Sequence, residues 1–221
     1  MSGSAEANSH QHSVGFNLGA IALVLALTAV GIAYAIDAAA RTANNADRQD
    51  DQAMLSRVLG GHELAIPRSW FRYEEQRAEG FAKQIDLRFE LPLGAAGQLE
   101  PIEVTLLPRS RARPSATLLD GVYLHQFGEA QLAGVPGLVG KPLRLGDGYE
   151  NEVVWYDALS ADPFVAKCSK PVVDSPQAQC LRTVYLGPGI AAIYAFPEAA
   201  LAGWKTFDAL LLERMRRIGA L

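Results

Sequence analysis

Ile85-Asp86-Leu87-Arg88-Phe89-Glu90-Leu91 decides how this chain folds. Apolar side chains alternate with charged ones, the period-two signature of a strand with one buried and one wet face. Ile102-Glu103-Val104-Thr105-Leu106 repeats the pattern. Parallel strands are covered on both faces and would be apolar throughout, so an antiparallel sheet is expected. Further strands are expected at Leu64–Pro67, Gly121–Phe127, Glu150–Asp157, Pro163–Cys168, Cys180–Leu186 and Ile190–Phe196. Gly187-Pro188-Gly189 turns the last two against each other.

The sheet needs a cover, and the end of the chain supplies one. From Pro197 to Ile218, the residues Leu201, Trp204, Phe207, Leu211, Met215 and Ile218 recur every three or four positions, giving a helix with one apolar face. Pro197 and Glu198 suit its first turn; Arg214, Arg216 and Arg217 suit the negative end of its dipole. The fold class is therefore α+β: an antiparallel sheet packed against a C-terminal amphipathic helix, over residues 62–221.

Ahead of that domain the chain changes character. Phe16 to Ile36 reads FNLGAIALVLALTAVGIAYAI, 21 residues without a charge. As a helix this is roughly 31 Å long, the thickness of a bilayer's hydrocarbon core. We read a transmembrane helix at 16–36, a disordered tail at 1–15 and a helical stalk at 37–61 closed by Gly60-Gly61 as a C-cap pair. A cleaved signal peptide is the rival. It lacks the basic n-region, since no Lys or Arg precedes the span, but Ala33-Tyr34-Ala35 offers a small-x-small cleavage site.

Composition excludes several classes. A hydrophobic fraction of 49% rules out a disordered chain. A net charge of −4 and a pI of 5.6 argue against nucleic acid as a partner. Two cysteines are too few for a four-cysteine zinc site, and no metal or cofactor is expected. Gly134-Val135-Pro136-Gly137-Leu138-Val139-Gly140-Lys141 resembles a phosphate loop only in outline, because Pro142 stands where a Ser or Thr is needed. The hydrolase patterns G-x-S-x-G, H-E-x-x-H and S-x-x-K are absent.

Cys168 ends one expected strand and Cys180 opens the next, with Pro171, Asp174, Ser175 and Pro176 forming turn chemistry between them. A hairpin would bring both to its neck, where a disulfide fits. Two separate reduced core cysteines are the alternative. The paired reading implies an oxidising compartment. Arg41 and Arg48 after the span pull toward a cytoplasmic domain, but a domain of this size can translocate despite that bias. The expected location is a bacterial inner membrane, single-pass, with the domain in the periplasm.

Few residues stand out for function. Arg109, Arg111 and Arg113 are candidate contacts to lipid headgroups or an acidic partner, against simple solvation of a loop. Trp70 is a candidate groove edge, against core packing. His125 reads as a structural histidine within a strand. The expected function is a non-catalytic, membrane-anchored accessory or protein-binding domain. Its partners would be an inner-membrane protein or complex and the bilayer itself, through residues 16–36. The alternatives are a ligand or lipid-headgroup sensor using a groove near Trp70 and Trp155, and an anchored hydrolase with a site around His125 and Arg109.

The order of anchor, stalk and small α+β domain with a neck disulfide resembles small bacterial single-pass envelope proteins of unassigned activity. Leu64-Ala65-Ile66-Pro67-Arg68-Ser69-Trp70, a strand followed by Pro-x-x-Trp, is similar to the opening of PsbP/Mog1-like sandwiches. That resemblance implies a sheet-and-helix fold and brings no catalytic residues with it.

Overall fold

The computed structural model describes residues 21–23, 25, 27–38, 53–144, 151–169, 178–187 and 189–221. The chain divides into two units, Met1–Asp50 and Asp51–Leu221. In the first, the helix Ile21–Ala38 (α1) has a mean hydropathy of 2.1 and is long and apolar enough to cross a membrane. The expected tail at 1–15 and residues 39–52 of the expected stalk lie outside the described residues.

The second unit is mixed α+β, with a large antiparallel sheet and a C-terminal helix. It opens with strands β1 (Met54–Leu59) and β2 (His62–Pro67), paired antiparallel with Leu59 opposite His62. The sequence reading put Met54–Leu59 in a helical stalk, and the structure corrects this. Gly60 and Gly61 both have positive φ (59° and 88°), so the pair makes a two-residue hairpin turn rather than a helix cap. The Ala-rich run ahead of Met54 suggested a helix, but Val58 and the buried alternate positions Arg57 and Leu59 follow strand logic. Strand β3 (Gly80–Ala82) joins β1 in parallel and completes a three-stranded sheet.

The larger sheet has seven strands in the order β4-β5-β10-β9-β8-β7-β6, every neighbour antiparallel. These are β4 (Ile85–Pro92), β5 (Leu99–Pro108), β6 (Val139–Pro142), β7 (Glu152–Tyr156), β8 (Val165–Ser169), β9 (Gln179–Tyr185) and β10 (Ile190–Pro197). In β4 the four alternating apolar residues are buried, as expected. Asp86 departs from the pattern. It is buried opposite Thr105 and accepts hydrogen bonds from Thr105 Oγ1 (2.6 Å), Gln76 Nε2 (2.8 Å) and Gln84 Nε2 (2.9 Å).

Gly121–Phe127, expected as a strand, is helical. Ser115–Leu118 (α2) runs through a π-helical turn, Leu119–Tyr123, into Leu124–Gln126 (α3). Leu119 and Tyr123, four residues apart, bury one face against Leu143, Val154 and Val165. The β-favouring pair Val122-Tyr123 conceals that helical spacing. His125 therefore sits on a helix, and its side chain is exposed.

A 3-10 segment, Glu198–Gly203, leads into the closing helix α4 (Trp204–Arg217). Phe207, Leu211 and Met215 are fully buried against the sheet. Gly203 allows this approach, because a Cβ there would lie 2.7 Å from the Leu93 carbonyl oxygen. The main core thus lies between the sheet and α4, while α2 and α3 cover the opposite face near β7 and β8.

Candidate functional site

Strand β9 pairs with β10 from Gln179 to Tyr185. Its pairing with β8 is far shorter: Lys167↔Leu181, Cys168↔Cys180 and Ser169↔Gln179 only. At the middle pair a disulfide joins Cys168 to Cys180, the bridge expected at the hairpin neck. Beyond Leu181 the two strands part, and backbone groups that a ladder would have paired need other partners.

Side chains supply them. Arg182 crosses the gap and donates from Nη1 to the Val165 carbonyl at 3.2 Å. Its Nε and Nη2 donate to the two carboxylate oxygens of Asp208 on α4, at 3.0 and 2.6 Å. The guanidinium lies 4.5 Å above the Phe164 ring. The Thr183 amide donates to Ser115 Oγ of α2 at 2.8 Å. Arg182 is the buried member of its ion pair (7% side-chain exposure) and Asp208 the half-open one (42%). Such a fork-to-fork pair fixes the plane of both groups.

A pocket of about 360 Å³ opens at this gap. Arg182, Asp208, Asp162 and Thr183 form its polar wall, with Tyr194 and Leu212 beside them. Tyr194 stands directly across the ladder from Arg182 and is almost fully buried. Burial, then the negative charge of Asp208, push its phenol well above the usual tyrosine range, while Arg182 pulls the other way. Tyr194 is accordingly a neutral hydroxyl across the physiological range. Behind it the rings of Phe164, Tyr194 and Phe196 pack around Phe207, holding the apolar floor in place.

The residues singled out from sequence fall in different places. Cys168 and Cys180 clasp the short β8–β9 pairing just before the strands part, and neither lines the pocket. Arg109 stacks 3.9 Å above the ring of Tyr185, another pocket residue. Arg111 turns away from it and donates to the Lys83 carbonyl. Arg113 is exposed. Trp70 packs on Phe89 with ring centroids 5.0 Å apart, and Arg214 lies over its face. Trp155 is buried in the main core. Among the described residues, no group of three or more His, Cys, Asp or Glu side chains is placed to hold a metal ion.

Arg182, Asp208 and Tyr194 were missed in the sequence, although one signal was present. Arg182 occupies the same strand phase as buried Cys180, so a cation there faces inward and needs a partner. That the partner is Asp208 is a tertiary fact with no local trace. No family model, curated protein or solved structure matches this chain.

Proposed function

We propose that this chain is a non-catalytic accessory binding domain, tethered by α1 to a bacterial inner membrane with its sheet domain in the periplasm. In this reading the pocket between β9 and α4 takes a small ligand carrying a basic nitrogen and an apolar body. The observation that carries it is a pre-formed pocket with convergent polar groups along β9, next to where β9 parts from β8. Its lining holds two carboxylates, Asp162 and Asp208, against the single guanidinium of Arg182, so the wall is negative overall. Leu212, Val184 and Pro114 supply the apolar side. The disulfide supports an oxidising compartment.

The test is thermal unfolding of the full chain in detergent against a panel of amines, amino-acid amides and quaternary ammonium compounds. A ligand at about 100 times its Kd stabilises by roughly 2.7 kcal/mol, a rise of about 5–10 °C for a domain of this size. The shift should disappear in Asp162→Asn, an exposed position where the unliganded midpoint should change little. A panel that moves the midpoint of neither protein, or of both equally, removes the reading.

A further inference from the structure

At the end of the domain marked by the Gly60-Gly61 turn, Phe81 on β3 is 76% exposed, unusual for an aromatic residue within a strand. It borders an apolar crevice of about 400 Å³ formed with Gly60, Ala82, Pro108 and the stems of Lys83 and Arg111. Arg111 Nη1 donates to the Lys83 main-chain carbonyl at 3.4 Å, which brings the Arg111 guanidinium to the strand end that carries Lys83. Arg109 does not join them: its guanidinium lies over the Tyr185 ring. Of the nearby carboxylates, Asp86 is buried and accepts from Thr105, and Glu63, which shares Phe81's row of the small sheet through Val58, accepts from Ser56 Oγ at 2.6 Å; Glu79 is exposed. A chain of net charge −4 thus places two cationic residues, Lys83 and Arg111, at the crevice beside a projecting phenyl ring.

We infer that this face docks on an anionic lipid surface, with Phe81 entering the interface and Lys83 and Arg111 meeting phosphate groups. An apolar wedge flanked by cations whose stems lie along apolar surface is the arrangement such a surface selects. Each contact is weak alone, and a free domain would not stay bound. The inference rests on the reading of α1 as an anchor, since Ala38 and Ala53 are then joined by fourteen residues, no more than about 50 Å of extended chain. Tethering at that range gives a high effective concentration, so weak contacts suffice.

The full chain, reconstituted in phosphatidylcholine vesicles with or without phosphatidylglycerol, provides the test. Flotation after an alkaline wash first checks the anchor; a chain that washes off breaks the anchor reading, independently of docking. In chains that float, Phe81→Trp emission is compared with the wild-type background of Trp70, Trp155 and Trp204 in vesicles doped with brominated lipid. Docking predicts excess quenching in the anionic vesicles, lost on adding salt and lost in Phe81→Trp combined with Lys83→Gln and Arg111→Gln. The salt titration needs no second variant, so a poorly folded one cannot decide the outcome. Equal quenching in neutral vesicles, or none in either, overturns the proposal. Unquenched chains that cross-link to one another through residue 81 overturn it in favour of a second copy.

Discussion

The two halves of the seven-stranded sheet solve the same problem differently. β4 and β5 pair over eight consecutive positions, from Ile85↔Leu106 to Pro92↔Leu99, with a dry face toward α4 and outward charges at Arg88 and Glu90. β8 and β9 pair over three and are joined in addition by a disulfide and an arginine bridge, while a serine hydroxyl of α2 takes up a β9 amide that the ladder leaves unpaired. A continuous ladder satisfies its own backbone and leaves no space within it. An interrupted ladder leaves space, and that space can become a site only if side chains take over the hydrogen bonds.

Cutting the clasp should separate the halves most strongly. Closing a loop with cysteines twelve positions apart stabilises by about 3 kcal/mol in the chain-entropy model. Cys180→Ala should lower unfolding stability by about 2–4 kcal/mol in oxidised protein and far less under reductant. Urea unfolding with and without reductant measures this. A difference near zero would mean that the three residue pairs and the Arg182 bridge hold β8 to β9 without the disulfide.

Asp208→Asn comes next. It removes the charge facing a buried guanidinium, but Asp208 is 42% exposed and water can take its place in part, so the cost should be about 2 kcal/mol. A double-mutant cycle with Arg182→Met should recover a coupling of about 1–2 kcal/mol. Additive costs would show that Arg182 works through its bond to Val165 alone. Ser115→Ala, which strands the Thr183 amide, should cost about 1–2 kcal/mol by the same unfolding measurement.

The pocket also has an alkaline signature. The folded-state pKa of Tyr194 lies above its unfolded value of about 10, so its contribution is complete below that pH. As pH rises past about 10 the unfolded chain loses its proton first, and stability should fall by about 1.4 kcal/mol per unit until the folded pKa is reached. Tyr194→Phe should flatten that part of the curve. The smallest effect belongs to the other half of the sheet: Glu90→Gln on the wet face of β4 should stay within about 0.5 kcal/mol.

The contrast also explains what the sequence could and could not reveal. β4, β5 and α4 were legible because each has one buried and one open face, and burial then writes its period into the residues. Around β7 and β8 both faces are covered, so Val154 and Trp155 are apolar in succession and say nothing about direction. α2 and α3 were lost because Val122-Tyr123 looks like strand, and β1 because Gly60-Gly61 serves a hairpin as readily as a helix end. The cysteine pair was readable as a local event across one turn. Arg182 and Asp208 lie twenty-six positions apart on different elements, and nothing near either announces the other.

The disulfide has one more consequence, for proteolysis. With Cys168 bonded to Cys180, the stretch Ser169–Gln179 is the arc of a covalent ring. A protease that cuts within that arc severs the backbone and leaves the molecule in one piece. The fragments would migrate together on a gel until reduced, and a nicked chain would keep β8 beside β9. Turnover in an oxidising compartment would therefore require a second cut elsewhere, or a thiol donor, before the two halves of the sheet could part.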